Sequence, residues 1–67
     1  MSVTINKAPE DDWEQMVAEN LKSGNGVNLE GFVYPDDLEK CHSLAKQFKA
    51  KTFLNADRTI CYFKISN

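Results

Sequence analysis

Two cysteines, Cys41 and Cys61, among 67 residues are too few for a disulfide scaffold. The one histidine, His42, stands beside Cys41. Neighbours on a helix point about 100° apart, so this thiol and imidazole are poorly placed to share a proton or an ion. A zinc site would have to recruit Cys61 and Asp57, which carry no recognised ligand spacing. No apolar run approaches the ~20 residues that span a bilayer, and the start Met-Ser-Val-Thr-Ile-Asn has neither a basic nor an apolar leader region. The reading is a complete cytoplasmic protein with no membrane partner. Without repeat, low-complexity tract or linker, residues 1–67 form one domain. A chain this short buries only about 60% of its unfolded surface, which leaves no atoms to spare for a deep cleft and favours binding on a surface over catalysis in a pocket.

What the chain does have is sorted charge. Residues 1–39 carry nine acids against Lys7 and Lys22, a net −7. Residues 40–67 carry six bases against Asp57, a net +5, so the overall −2 hides two opposed halves. Either the halves separate in space, giving an acidic and a basic pole, or they interleave and neutralise each other.

The elements follow from periodicity and punctuation. Val3 and Ile5 alternate with polar residues, as in a strand with one buried face. Pro9 suits a first helical turn, and Trp13, Met16, Val17 and Leu21 form a helical stripe, which predicts a helix over about residues 9–22. Gly24 or Asn25 stops it in the left-handed conformation. Val27, Leu29, Gly31 and Val33 alternate with Asn28, Glu30, Phe32 and Tyr34, a second strand weakened by its central glycine. Pro35, Asp36 and Asp37 open a second helix whose stripe, Leu38, Cys41, Leu44, Ala45 and Phe48, should be the most deeply buried helical face. Thr52-Phe53-Leu54 and residues 59–65 read as a hairpin around Asn55-Ala56-Asp57-Arg58.

The resulting fold class is α/β, an α+β two-layer sandwich of order β-α-β-α-β-β, with a four-stranded mixed sheet and two helices on one face. In topology this is similar to small two-layer folds such as the C-terminal domain of a translation initiation factor or the Alba proteins, several of which bind nucleic acid. With residues 27–33 as a loop the order becomes β-α-α-β-β, as in a winged helix or a KH domain. Against the KH reading, Gly24-Asn25-Gly26 is not its G-x-x-G loop.

No constellation for catalysis stands out, and the reading is a non-enzyme without cofactor or metal. Glu10, Asp11, Asp12 and Glu14 fan around a helix start instead of converging on a cation, and suit the positive helix end. Two helices cover one face of such a sheet. The other face would carry Phe32, Tyr62 and Lys64, with Phe53 and Lys51 nearby, an aromatic and basic platform. The functional expectation is a non-catalytic interaction protein that binds a larger macromolecule, first of all a protein, in the manner of a small regulator or inhibitor encoded by a phage or mobile element. Its contact residues would be Phe32, Tyr62 and Lys64, with Glu10, Asp11 and Glu14 as a second surface that imitates phosphate. The alternatives are a nucleic-acid-binding domain using the basic half and the open face, and a homodimer through that face.

Overall fold

The structure, a computed structural model, describes residues 2–7 and 12–65. Its elements are β1 (Ser2–Asn6), α1 (Trp13–Lys22), β2 (Gly26–Glu30), α2 (Pro35–Gln47), β3 (Ala50–Leu54) and β4 (Ile60–Ile65). This is the β-α-β-α-β-β order that the periodicity predicts. The four strands form one mixed sheet in the order β1-β2-β4-β3. β1 and β2 pair in parallel, while β4 runs antiparallel to both β2 and β3. Three strands therefore point one way, and each helix returns the chain between two of them, so both helices run in the direction of β4.

The helix layer closes on one sheet face. Val17, Val27, Leu29, Val33, Cys41 and Cys61 are almost wholly buried, joined by Ile5, Trp13, Leu21, Ala45 and Phe63. On α1 the stripe of Trp13, Val17 and Leu21 lies inside, at the spacing read from the sequence. On α2 only Cys41 and Ala45 are buried, whereas Leu38, Leu44 and Phe48 pack half-buried against the core. The expectation that the α2 stripe is the deepest is thus corrected. Trp13, Val17 and Leu21 of α1 are buried more completely, and α2 packs against the edge strand β3, which leaves its outer flank in water.

Local backbone chemistry sets the ends. α1 begins at Trp13, and the reading that placed Pro9 in its first turn falls outside the described residues. Its far end closes with Gly24 at φ 86°, where the Gly24 N–H donates to the Leu21 carbonyl (3.0 Å) and the Asn25 N–H to the Asn20 carbonyl (2.9 Å). β2 ends at Glu30, short of the predicted residue 33. Gly31 sits at φ 132°, and a Cβ there would come within 2.9 Å of the Lys7 Cβ, so the chain turns at a residue that only glycine suits. Val33 is nevertheless buried, its N–H donating to the Arg58 carbonyl at 2.8 Å. Lys49 follows α2 at φ 57°, the left-handed position that glycine ordinarily takes. In the hairpin, the Arg58 N–H donates to the Asn55 carbonyl (3.1 Å), while Asn55 Oδ1 accepts from the Thr59 and Ile60 N–H groups at 2.8 and 3.0 Å.

Two stability predictions follow from packing and backbone. Leu29→Ala removes a fully buried side chain of the central sheet and should cost about 2–5 kcal/mol, while half-buried Leu44→Ala should cost less than about 2 kcal/mol. Urea melts that reverse this order would contradict the packing described. Lys49→Gly should raise stability by roughly 0.5 kcal/mol, the relief of the left-handed strain less the entropy of an added glycine, and a fall in the denaturation midpoint would show the strain to be absent.

Candidate functional site

The sheet face turned away from the helices carries the candidate site. Strand alternation sends Cys61, Phe63 and Ile65 toward the helices, so Ile60, Tyr62 and Lys64 point the other way. The registers Thr4↔Asn28, Asn28↔Tyr62 and Phe53↔Tyr62 line up a row across all four strands: Thr4, Asn28, Tyr62, Phe53. Tyr62 and Phe53 are direct cross-strand neighbours, 40% and 52% exposed. One step along the strands, about 7 Å away, Lys51 stands directly opposite Lys64, while Ser2 stands opposite Gly26. Gly26 contributes no side chain, and a shallow open depression of about 610 Å³ lies there, lined by Ser2, Gly26, Asn28, Phe53, Tyr62 and Lys64 among others. Like charges directly opposite on adjacent strands destabilise the pairing.

Phe32 lies past the end of β2 and outside this row; it is exposed, as the alternation with buried Val33 predicts, and packs edge-on against Tyr34 with ring centroids 4.8 Å apart. Tyr34 in turn lies under Lys7 Nζ, 5.2 Å from the ring centroid. Lys7 Nζ reaches Asp37 Oδ2 at 2.9 Å, and the same oxygen accepts from the Tyr34 N–H at 3.0 Å. These contacts clasp the end of β1 to the start of α2. Desolvation of the Asp37 carboxyl works toward a higher pKa, but the Lys7 and Tyr34 N–H donors, with the nearby Lys40 charge, outweigh it and hold the group below its ordinary 3.8.

Of the acidic candidates, Glu10 and Asp11 lie outside the described residues. Glu14 sits in the first turn of α1 and pairs with Lys40 at 3.3 Å, an exposed bridge worth at most about 1 kcal/mol. The larger electrostatic feature is global. With both helices running alongside β4, their N-termini share the end of the molecule where β1 and β2 finish. That end holds Asp12, Glu14, Glu30, Asp36, Asp37, Glu39 and Asp57 against Lys7, Lys40 and Arg58, a net −4 among the described residues. The opposite end holds Lys22, Lys46, Lys49, Lys51 and Lys64 against Glu19, a net +4. The charge does separate into poles, though not strictly by sequence half, since Lys40 and Arg58 stand at the acidic end and Lys22 at the basic end.

Cys41 and His42 are held apart, the thiol buried in the core and the imidazole exposed. The nearby Cys61 of β4, together with burial, pushes the Cys41 pKa up, so the thiol stays neutral. Among the described residues no three His, Cys, Asp or Glu side chains gather to hold a metal ion, and no helix is long and apolar enough to cross a membrane. Comparison with protein-family models, with curated proteins and with solved structures finds no match. Site residues must therefore be argued from this chain alone. Sequence reasoning understated Phe53, Lys51 and Asn28, whose positions beside Tyr62 depend on strand order and register.

The Lys7–Asp37–Tyr34 clasp makes a pH-dependent prediction. Asp37→Asn should destabilise the fold at neutral pH by about 1–2 kcal/mol, since it weakens a charge-assisted contact between two mostly buried side chains. A lowered carboxylate pKa stabilises above its unfolded value and loses that contribution as pH falls through the folded value. The gap between wild type and variant in denaturant melts should therefore hold steady above about pH 5 and close below pH 3.8. A gap that persists at the acid end would place the effect elsewhere.

Proposed function

We propose that this protein is a non-catalytic interaction module that acts by occupying a surface on a larger macromolecule, with the open sheet face as its contact surface. The observation that carries this reading is the pairing of Tyr62 with Phe53 on the face the helices leave uncovered. Strands are normally amphipathic here, apolar toward the core and polar toward water. Two neighbouring exposed rings, flanked by polar Asn28 and Thr4 on one side and by the Lys51 and Lys64 pair one step along, give instead an apolar centre with a polar rim. That is the anatomy of a binding patch. The small size of the domain and its filled core support surface binding over chemistry.

The acidic pole supports a second reading. Both helix starts place carboxylates at one end, and an end of net −4 among the described residues would dock on a basic groove in the way a phosphate chain does. A small regulator or inhibitor of a nucleic-acid enzyme, such as phages and mobile elements encode, would work in this manner.

Paired variants separate the readings. Against a partner recovered from the native source, Tyr62→Ala and Phe53→Ala should each weaken the complex by about 2 kcal/mol, as aromatic anchors at an interface commonly do. Glu14→Lys with Asp36→Lys should leave that affinity nearly unchanged. The opposite pattern, measured by calorimetry on variants that keep the native circular dichroism spectrum, would transfer the contact to the acidic pole.

A further inference from the structure

We propose that the occupant of the open face is a short single-stranded segment of nucleic acid, deoxyribo or ribo alike, with two bases on the Tyr62 and Phe53 rings and its phosphates on Lys51 and Lys64. The proposal rests on the preceding reading of the face and names its partner class.

Area argues for a slender occupant. Four strands about 4.8 Å apart and five residues long give a face of roughly 17 by 19 Å, on the order of 320 Å². A stable protein interface takes about 800 Å² of accessible surface per partner, so a protein would have to reach beyond this footprint onto the rims of the face. Two bases and their linking phosphates fit it.

Chemistry argues for bases and phosphates together. Tyr62 and Phe53, directly opposed, form a platform of two adjacent rings, and any base has a π-face to lay on one. Lys51 and Lys64 are opposed one step further toward the basic pole, and neither takes part in an ion pair among the described residues. A phosphate lying between them would replace their mutual repulsion with attraction to both. Asn28 and the Ser2 hydroxyl sit beside the depression and offer hydrogen bonds to base edges or sugars. The overall −2 does not forbid this. Glu30, four residues along β2 from the row of Lys51 and Lys64, stands about 13 Å away, beyond the screening length of about 8 Å at physiological salt. The acidic end instead limits the site, since a strand laid lengthwise along β4 would run into Glu30 and Asp57, while one crossing the basic rows avoids them.

The test is an amide-resolved NMR titration of the whole protein with a ten-residue oligothymidylate, its ribo counterpart oligouridylate, and a ten-residue oligoglutamate as a polyanion without bases. Both oligonucleotides should move the amides of Asn28, Lys51, Phe53, Tyr62 and Lys64, and oligoglutamate should bind at least tenfold more weakly. Tyr62→Ala and Phe53→Ala should each reduce oligonucleotide affinity about tenfold, the spectrum itself reporting that the fold is kept. Affinity should fall with salt at a logarithmic slope near −1.4, for two phosphates at about −0.7 each, and Lys64→Gln should bring it to about −0.7. Oligoglutamate binding as tightly as oligothymidylate, or affinity indifferent to both ring substitutions, would overturn the nucleic-acid assignment. So would concentration-dependent shifts of the same residues without ligand, which mean a second copy of the chain covers the face. That last outcome keeps the open face as the working surface, whereas oligonucleotide shifts confined to the helix layer would remove both the partner class and the face.

Discussion

The position of β4 is the constraint on which the rest depends. The last strand of the chain enters between β2 and β3, so the sheet closes only when residues 60–65 reach the remote segment 26–30 as well as their hairpin partner β3. Its inward side chains, Cys61 and Phe63, lie in the middle of the core, one against Leu29 and Leu54, the other against Val27 and Thr52. Its outward side chain, Tyr62, lies for the same reason in the middle of the open face. One insertion thus fixes both the packing centre and the centre of the candidate site. Because β1, β2 and β3 share one direction, both helices return the opposite way, alongside β4, and the molecule acquires its poles.

Those poles arise from a local rule multiplied by topology. Carboxylates stabilise a helix start and ammonium groups a helix end by about 0.3–1 kcal/mol each. In a fold with antiparallel helices the rule would scatter charge over both ends. Here α1 and α2 point the same way, so Glu14, Asp36 and Asp37 gather at one end, and Lys22 and Lys46 at the other. Helix stability alone does not account for Lys51 and Lys64, which belong to strands. They extend the basic pole from the helix layer round to the open face.

The element order and most of the core were legible in the sequence, because the period-2 and period-3.6 signals of Val3, Ile5, Val17, Leu21, Val27 and Leu29 match their burial and spacing. The errors sit where backbone geometry overrides pattern. Val33 is buried in register with Leu29, so alternation alone carries β2 past Glu30, yet pairing with β1 and β4 stops at Glu30, next to Gly31 at φ 132°. Lys49 and Arg58 occupy left-handed positions without the glycine that would signal them. The neighbours of Tyr62 were legible only in part. Alternation places Tyr62 and Lys64 on one face and the hairpin brings Phe53 and Lys51 near them, but their exact register and the place of Asn28 depend on pairing that no local pattern encodes.

Sheet stability alone does not explain the open face. An aromatic pair such as Phe53 and Tyr62, directly opposed on adjacent strands, contributes about 0.2–1 kcal/mol over small residues, and aromatic side chains suit strands in any case. A purely structural account of the two rings is therefore available. The adjoining row, where Lys51 of the edge strand opposes Lys64, adds no such gain to the pairing, and a lysine there guards the edge against another chain. A threonine at either lysine position would keep the strand propensity and remove the repulsion. The proposed nucleic-acid ligand would use both rows at once, since a molecule with flat apolar rings and negative charge about 7 Å apart gains from each.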